Sequence, residues 1–153
     1  MVAFPIFLTL AACVSAVMGE GCFSNKKDIP FSALKEGDPM PAVHAAIDSF
    51  CNGFIQDNHI PNPMKDWKVC YTAYARSMTL AVNRYLEGGV TPDAERCKAG
   101  LKGAALCEYG GIHILDGDHY PWYSFESKGH WEYTADPNDG PCDPGLAWGG
   151  NIF

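Results

Sequence analysis

The sequence predicts an α+β fold, in which an antiparallel sheet of three to five short strands carries two packed helices and is held together by disulfides. Apolar residues recur at helical spacing in two segments, and they alternate with polar residues in others. The alternating segments follow one another closely, which favours antiparallel pairing with helices on the sheet. Cysteines are distributed along these segments and supply covalent links between them.

The N-terminus predicts a secretory signal peptide. Residues 1–18 contain no charged side chain, and their apolar stretch is shorter than the roughly 20 helical residues that span a bilayer. Small residues follow, with cleavage expected after Ala16 or after Gly19. We therefore predict a signal peptide over residues 1–19, a single domain over residues 20–142 and a flexible tail over residues 143–153.

The cysteine count agrees with secretion. The chain has seven cysteines, and Cys13 leaves with the predicted signal peptide. An even set then remains, which suits disulfides in an oxidising compartment. No C-x2-C or H-x3-H pair indicates zinc. Several pairings stay open for the predicted disulfide cysteines Cys22, Cys51, Cys70, Cys97, Cys107 and Cys142.

Composition limits the partners. The chain has a net charge of −7, which disfavours nucleic acid and anionic membranes because both require a basic face. We expect no cofactor, no bound metal, no membrane association after signal cleavage, and a monomer.

The first predicted helix covers about residues 41–52. Pro41 suits its first turn, Gly53 is expected to end it, and an apolar stripe includes Val43, Ile47 and Phe50. A second helix is expected from Thr91-Pro92-Asp93 to about Cys107, with Thr91 as the N-cap.

Residues 67–86 carry the sheet prediction. Alternation from Trp67 to Tyr74 and again from Met78 to about Leu86 indicates two strands, although residues 71–86 also fit a helical period. The segment 130–135 alternates as the last strand, and turn residues follow it.

The end of the predicted domain resembles a known family. Residues 131–142 read W-x-Y-x-A-D-P-N-x-G-x-C, and the chain also has Gly21-Cys22-Phe23 and Cys107 followed by Gly110-Gly111. This arrangement is similar to small secreted cysteine-rich fungal proteins, which include effector-like proteins and a mushroom glycan-binding lectin. The resemblance implies an extracellular protein with a disulfide-linked α/β sandwich and no cofactor.

An aromatic segment is the first candidate binding site. Residues 116–125 read DGDHYPWYSF, and sugar sites combine aromatic platforms with planar polar groups. The competing interpretation is that these aromatic side chains cover the sheet as part of the core. The candidate ligand-binding residues are Asp116, Asp118, His119, Tyr120, Trp122 and Tyr123.

A catalytic alternative involves His130 and Glu132. Two residues apart on a strand, they share one face and suit general acid–base chemistry of the ribonuclease type, with Arg76 or Arg84 as the stabilising cation. The competing interpretation is a solvent-facing polar row, with Trp131 and Tyr133 facing the core.

These observations favour a secreted, non-enzymatic binding protein of the fungal effector or lectin type, recognising a glycan or a host extracellular protein. A ribonuclease-like or toxin enzyme that uses His130 and Glu132 is the alternative.

Overall fold

The computed structural model describes residues 21–24, 29–56, 66–84, 92–115 and 131–153. Within these ranges it contains two helices, α1 (Met40–Gln56) and α2 (Ala94–Ala104), and a short 3-10 turn at Phe31–Ala33. Its strands are β1 (Asp66–Ala73), β2 (Arg76–Arg84), β3 (Gly111–His113), β4 (Trp131–Asn138) and β5 (Ala147–Asn151). The predicted α+β class is confirmed.

The strands form one sheet in the order β3-β4-β2-β1-β5. The pairs β1/β2, β2/β4 and β3/β4 are antiparallel, as expected. The exception is β5, which runs parallel to β1, so the sheet is mixed rather than purely antiparallel. The predicted tail 143–153 therefore contributes a fifth strand, and the expectation of a flexible tail is wrong for Ala147–Asn151.

Helix α1 begins where the sequence predicts and ends later. The Asp38 carboxylate accepts a hydrogen bond from the Met40 N–H, and Pro41 lies in the first turn. The helix continues to Gln56, so Gly53 lies inside it and does not end it. Its apolar stripe is buried, because Val43, Ile47 and Phe50 are almost fully excluded from solvent.

Helix α2 is capped by Asp93 rather than by Thr91. The Asp93 side chain accepts a hydrogen bond from the Arg96 N–H at 2.7 Å, and Glu95 and Lys102 have favourable signs at the two ends of the helix dipole. The last turn ends at Ala104, shorter than the predicted end near Cys107. Lys102 also forms an ion pair with Asp48 of α1 at 2.8 Å.

The hydrophobic core lies between the two helices and one face of the sheet. The alternation on β2 puts Met78, Leu80 and Val82 into this core, next to Tyr133 of β4. This confirms the two-strand interpretation over the helical one for residues 67–84, the part of the segment that the structure describes. The rings of Phe50 on α1 and Trp67 on β1 are 4.6 Å apart and close one side of the core.

Three disulfides link these elements, using the six predicted cysteines. Cys51–Cys97 joins α1 to α2, Cys70–Cys142 joins β1 to the turn after β4, and Cys22–Cys107 ties the N-terminal arm beside β3. Their sequence separations of 46, 72 and 85 residues correspond to about 4–5 kcal/mol each in the chain-entropy model. Among the described residues, no helix is long and apolar enough to cross a membrane.

Candidate functional site

Several predicted site residues lie outside the described residues. They are the catalytic candidate His130 and the candidate ligand-binding residues Asp116, Asp118, His119, Tyr120, Trp122 and Tyr123. The predicted signal peptide also lies outside the described residues. Their assignment stays a prediction.

Glu132 lies on β4, but not in a solvent-facing row. It is 7% exposed and lies opposite Asn83 of β2, which is buried to the same extent. The expected open polar row is therefore wrong at this position. Trp131 and Tyr133 are both buried, as expected.

Arg76, one of the two arginines of the catalytic alternative, does not share a sheet face with Glu132. Arg84 pairs with the buried Trp131 of β4. Arg76 lies eight residues earlier on β2, and positions an even number apart on a strand belong to the same face. Both positions belong to the core side of the sheet. Among the described residues, Lys68 of β1 does share the sheet face of Glu132. Lys68 pairs with Ala81 and Ala81 pairs with Thr134, which is two residues from Glu132 on β4.

The turn between β1 and β2 presents an exposed aromatic ring. The pairing of Ala73 with Arg76 leaves Tyr74 and Ala75 as a two-residue turn. Such turns require a positive φ at their first central residue, a position that normally carries Gly or Asn. Here Tyr74 occupies it with a φ of 56°, and its side chain is 77% exposed. A large aromatic residue therefore stands where the backbone favours a small one.

Phe153 supports the Tyr74 ring from one side. The two rings are nearly parallel, with an interplanar angle of 9° and centroids 6.0 Å apart. The Lys35 ammonium group lies 4.9 Å from the centroid of the Phe153 ring, a cation–π geometry. These contacts fix the orientation of Tyr74 and leave most of its surface in solvent.

A cleft of about 310 Å³ opens beside Tyr74. Its walls come from the 3-10 turn, the end of the β1/β2 hairpin and the turn after β4. The lining residues are Ala33, Leu34, Ala73, Tyr74, Ala75, Arg76 and Asp139.

Two charged side chains supply the polar part of the cleft. The Arg76 guanidinium donates to the Ala33 carbonyl, which attaches the 3-10 turn to β2. The Arg76 Nε lies 3.6 Å from an Asp139 carboxylate oxygen, and the Asp139 side chain is 75% exposed. We call Tyr74, Phe153, Lys35, Arg76 and Asp139 the hairpin-end site.

The hairpin-end site combines three kinds of interaction. The Tyr74 ring offers a flat apolar surface, the Asp139 carboxylate accepts hydrogen bonds, and the Arg76 guanidinium donates them in a planar fork. A sugar ring presents the matching features, an apolar face bordered by hydroxyl groups. Sequence reasoning assigned Tyr74 to the strand and missed this site, because no Gly or Asn marks the turn and Phe153 lay in the predicted tail.

Among the described residues, no group of three or more His, Cys, Asp or Glu side chains is arranged to hold a metal ion. No protein-family model matches this chain, and no curated protein matches it at a significant level.

Proposed function

We propose that this chain is a secreted, non-enzymatic binding protein of the effector or lectin type that recognises glycans through the hairpin-end site. The observation that carries the proposal is the exposed Tyr74 ring, which is held by Phe153 at the mouth of a cleft containing Arg76 and Asp139. Three disulfides support the secretory assignment, because such links persist in oxidising compartments.

Stacking of one sugar face on Tyr74 would remove apolar surface of both partners from water. The phenolic hydroxyl of Tyr74 would stay available for a hydrogen bond. Asp139 and Arg76 would then fix the orientation of the sugar through its hydroxyl groups. The Arg76–Asp139 pair is preorganised by the bond from Arg76 to Ala33, which lowers the ordering cost of binding. Immobilising the sugar and its hydroxyl groups still costs conformational entropy, so we expect a site of this size to bind with modest affinity.

The test is a glycan array probed with the disulfide-bonded wild-type protein and with Tyr74→Asn. Asn tolerates the positive φ of this position, so the variant removes the ring without opposing the turn. Leu106→Ala is the matched control, because Leu106 is 83% exposed and lies after α2, outside the hairpin-end site.

We expect array binding by the wild type and by Leu106→Ala, and its loss in Tyr74→Asn. If the wild type binds no sugar on the array and the folded protein binds a host extracellular protein, the ligand is that protein and not a glycan. RNA cleavage that is lost in Glu132→Gln would overturn the non-enzymatic assignment.

A further inference from the structure

The cleft of the hairpin-end site combines an apolar wall with a pair of charged groups. Four of its seven lining residues have side chains without a hydrogen-bonding group, and we call them the apolar wall: Ala33, Leu34, Ala73 and Ala75. Leu34 and Ala73 are only 2% and 1% exposed, so the deepest part of the wall is continuous with the core. The charged groups are those of Arg76 and Asp139.

The backbone of the 3-10 turn behind this wall already has hydrogen-bond partners. The Ala33 N–H donates to the Pro30 carbonyl at 2.9 Å, and the Leu34 N–H donates to the Phe31 carbonyl at 3.0 Å. The Ala33 carbonyl accepts from the Arg76 guanidinium. A sugar hydroxyl turned toward this wall would therefore lose its bonds to water without replacement, whereas a methyl group would gain from the same burial.

The charged pair fits a neutral sugar. Because the Arg76 Nε lies 3.6 Å from an Asp139 carboxylate oxygen, the two charges offset each other inside the cleft. An anionic sugar would meet Asp139 on a chain whose net charge is −7. The guanidinium has further N–H groups to donate, and the exposed carboxylate has further lone pairs to accept. The pair therefore provides a neutral ligand with one donor beside one acceptor.

The acetamido group of an amino sugar matches both parts of the cleft. It has an N–H donor and a terminal methyl group, and in a trans amide these two lie on the same side of the C–N bond. An N–H that donates to Asp139 therefore turns the methyl group into the cleft that Asp139 lines, where the apolar wall can bury it. The neighbouring hydroxyl group of the sugar can then accept from Arg76, with the sugar ring stacked on Tyr74.

We propose that the hairpin-end site selects sugars that carry an acetamido group. This inference rests on the proposed glycan-binding function and names the class of sugar that the site binds. Asp139 accepts from the acetamido N–H, the apolar wall buries the methyl group, and Arg76 donates to the adjacent hydroxyl. These contacts involve only the second and third carbons of the ring, so N-acetylglucosamine and N-acetylgalactosamine both satisfy them.

The physical consequence is an affinity that depends on the acetamido group more than on the hexose. Replacement of a hydroxyl group by an acetamido group adds a buried methyl group and a hydrogen bond to a carboxylate. We expect the Kd to fall about tenfold or more relative to the plain hexose, because these two contributions together are of that order.

The experiment is a titration of the disulfide-bonded protein, followed by NMR chemical shifts, with methyl glycosides of single sugars. The probes are N-acetylglucosamine and N-acetylgalactosamine, with glucose and galactose as their plain counterparts. N-formylglucosamine keeps the N–H without the methyl group, and fucose has a methyl group without the amide.

Two variants test the two halves of the cleft. Ala75→Leu enlarges an exposed residue of the apolar wall, and Asp139→Ala removes the proposed acceptor. Leu106→Ala is again the exposed control, and melting temperatures establish that each variant is folded.

We expect at least one N-acetyl sugar to bind more tightly than its plain counterpart by the factor given above. N-formylglucosamine and fucose should lose most of this advantage. Ala75→Leu and Asp139→Ala should each bring the ratio of the two Kd values toward one, and Leu106→Ala should keep the wild-type ratio.

Plain hexoses or fucose that bind as tightly as the N-acetyl sugars would overturn the acetamido selectivity and leave the glycan-binding function standing. Array binding confined to sugars without an acetamido group would do the same. A ratio that stays at the wild-type value in both folded variants would also overturn the selection by this cleft. Absence of binding to every probe, together with a blank glycan array, would overturn both proposals.

Discussion

Gly100 of α2 lies directly against the ring of Tyr133 in β4. A Cβ atom added at Gly100 would be 2.2 Å from the Tyr133 Cγ, and Tyr133 is completely buried. The absence of a side chain at this position therefore sets how closely α2 approaches the sheet.

Gly100→Ala is expected to destabilise the protein. The new methyl group must displace Tyr133 or α2, and such overpacking costs about 1–3 kcal/mol. This exceeds the gain of up to about 1 kcal/mol in helix propensity that replacement of Gly by Ala provides. The midpoint of urea unfolding of the disulfide-bonded protein should decrease.

The matched control is Gly53→Ala in α1, where a Cβ atom meets nothing within 4 Å. Here the propensity gain acts alone, so the unfolding midpoint should increase by an amount equivalent to about 0.5–1 kcal/mol. Equal effects of the two substitutions would contradict the packing of α2 on β4.

The disulfide between Cys51 and Cys97 is expected to be a major contributor to stability. Both residues are fully buried, and the bond joins the two helices across 46 residues of sequence. Replacement of both by Ala should lower the free energy of unfolding by about 4 kcal/mol, since the unfolded chain gains the entropy of the opened loop.

Urea unfolding of the double variant measures this loss. Peptide mapping of the non-reduced wild type should find Cys51 bonded to Cys97, Cys22 to Cys107 and Cys70 to Cys142. A different connectivity in the folded protein would refute the pairing directly.

Alkaline pH should destabilise the fold through Tyr71. Burial raises the pKa of Tyr71 above its ordinary value of 10.0, and a hydrogen bond with Ser49 opposes this only in part. Above pH 10 the unfolded chain loses the Tyr71 proton while the folded protein retains it. The unfolded state then binds fewer protons, so the free energy of unfolding decreases as pH rises from 10 through the raised pKa.

Unfolding measured at pH values from 8 to about 11 tests this dependence. In Tyr71→Phe the decrease above pH 10 should become shallower, because the ionisable group is gone. The variant also loses the bond with Ser49, at a cost of about 1 kcal/mol that is independent of pH. An unchanged slope in Tyr71→Phe would assign the alkaline effect to other groups.

The sequence predicted the elements whose patterns are strong and local. The apolar stripe of α1 and the alternation of β2 each span several residues, and both were placed correctly. The set of disulfide cysteines followed from their even number, but their pairing depends on distances in the folded chain that no spacing rule contains.

The strand β5 and the hairpin-end site were not predictable in the same way. Ala147–Asn151 contains two glycines and one large residue, so it has no alternation to detect. Its strand conformation depends on pairing with β1, which lies more than seventy residues earlier in the chain. The proximity of Phe153 to Tyr74 follows from that pairing. Because the pairing is between distant segments, no local sequence pattern predicts this proximity.

Gly149→Ala tests whether β5 is part of the folded sheet. A Cβ atom at Gly149 would lie 2.5 Å from the buried Tyr71 ring and 2.6 Å from Val69, so the substitution should detach the strand from β1. Gly145→Ala is the control in the same segment, because its Cβ would approach only the exposed Asp143 carboxylate, at 3.3 Å.

Amide hydrogen exchange provides the measurement. The Ile152 N–H, which bonds to the Thr72 carbonyl, should be protected in the wild type and in Gly145→Ala and should exchange rapidly in Gly149→Ala. Detachment of β5 would also displace Phe153, which supports the Tyr74 ring, so glycan binding should weaken in the same variant. Equal protection in all three proteins would mean that the alanine is accommodated without loss of β5, and the close packing of Gly149 on Tyr71 would then be wrong.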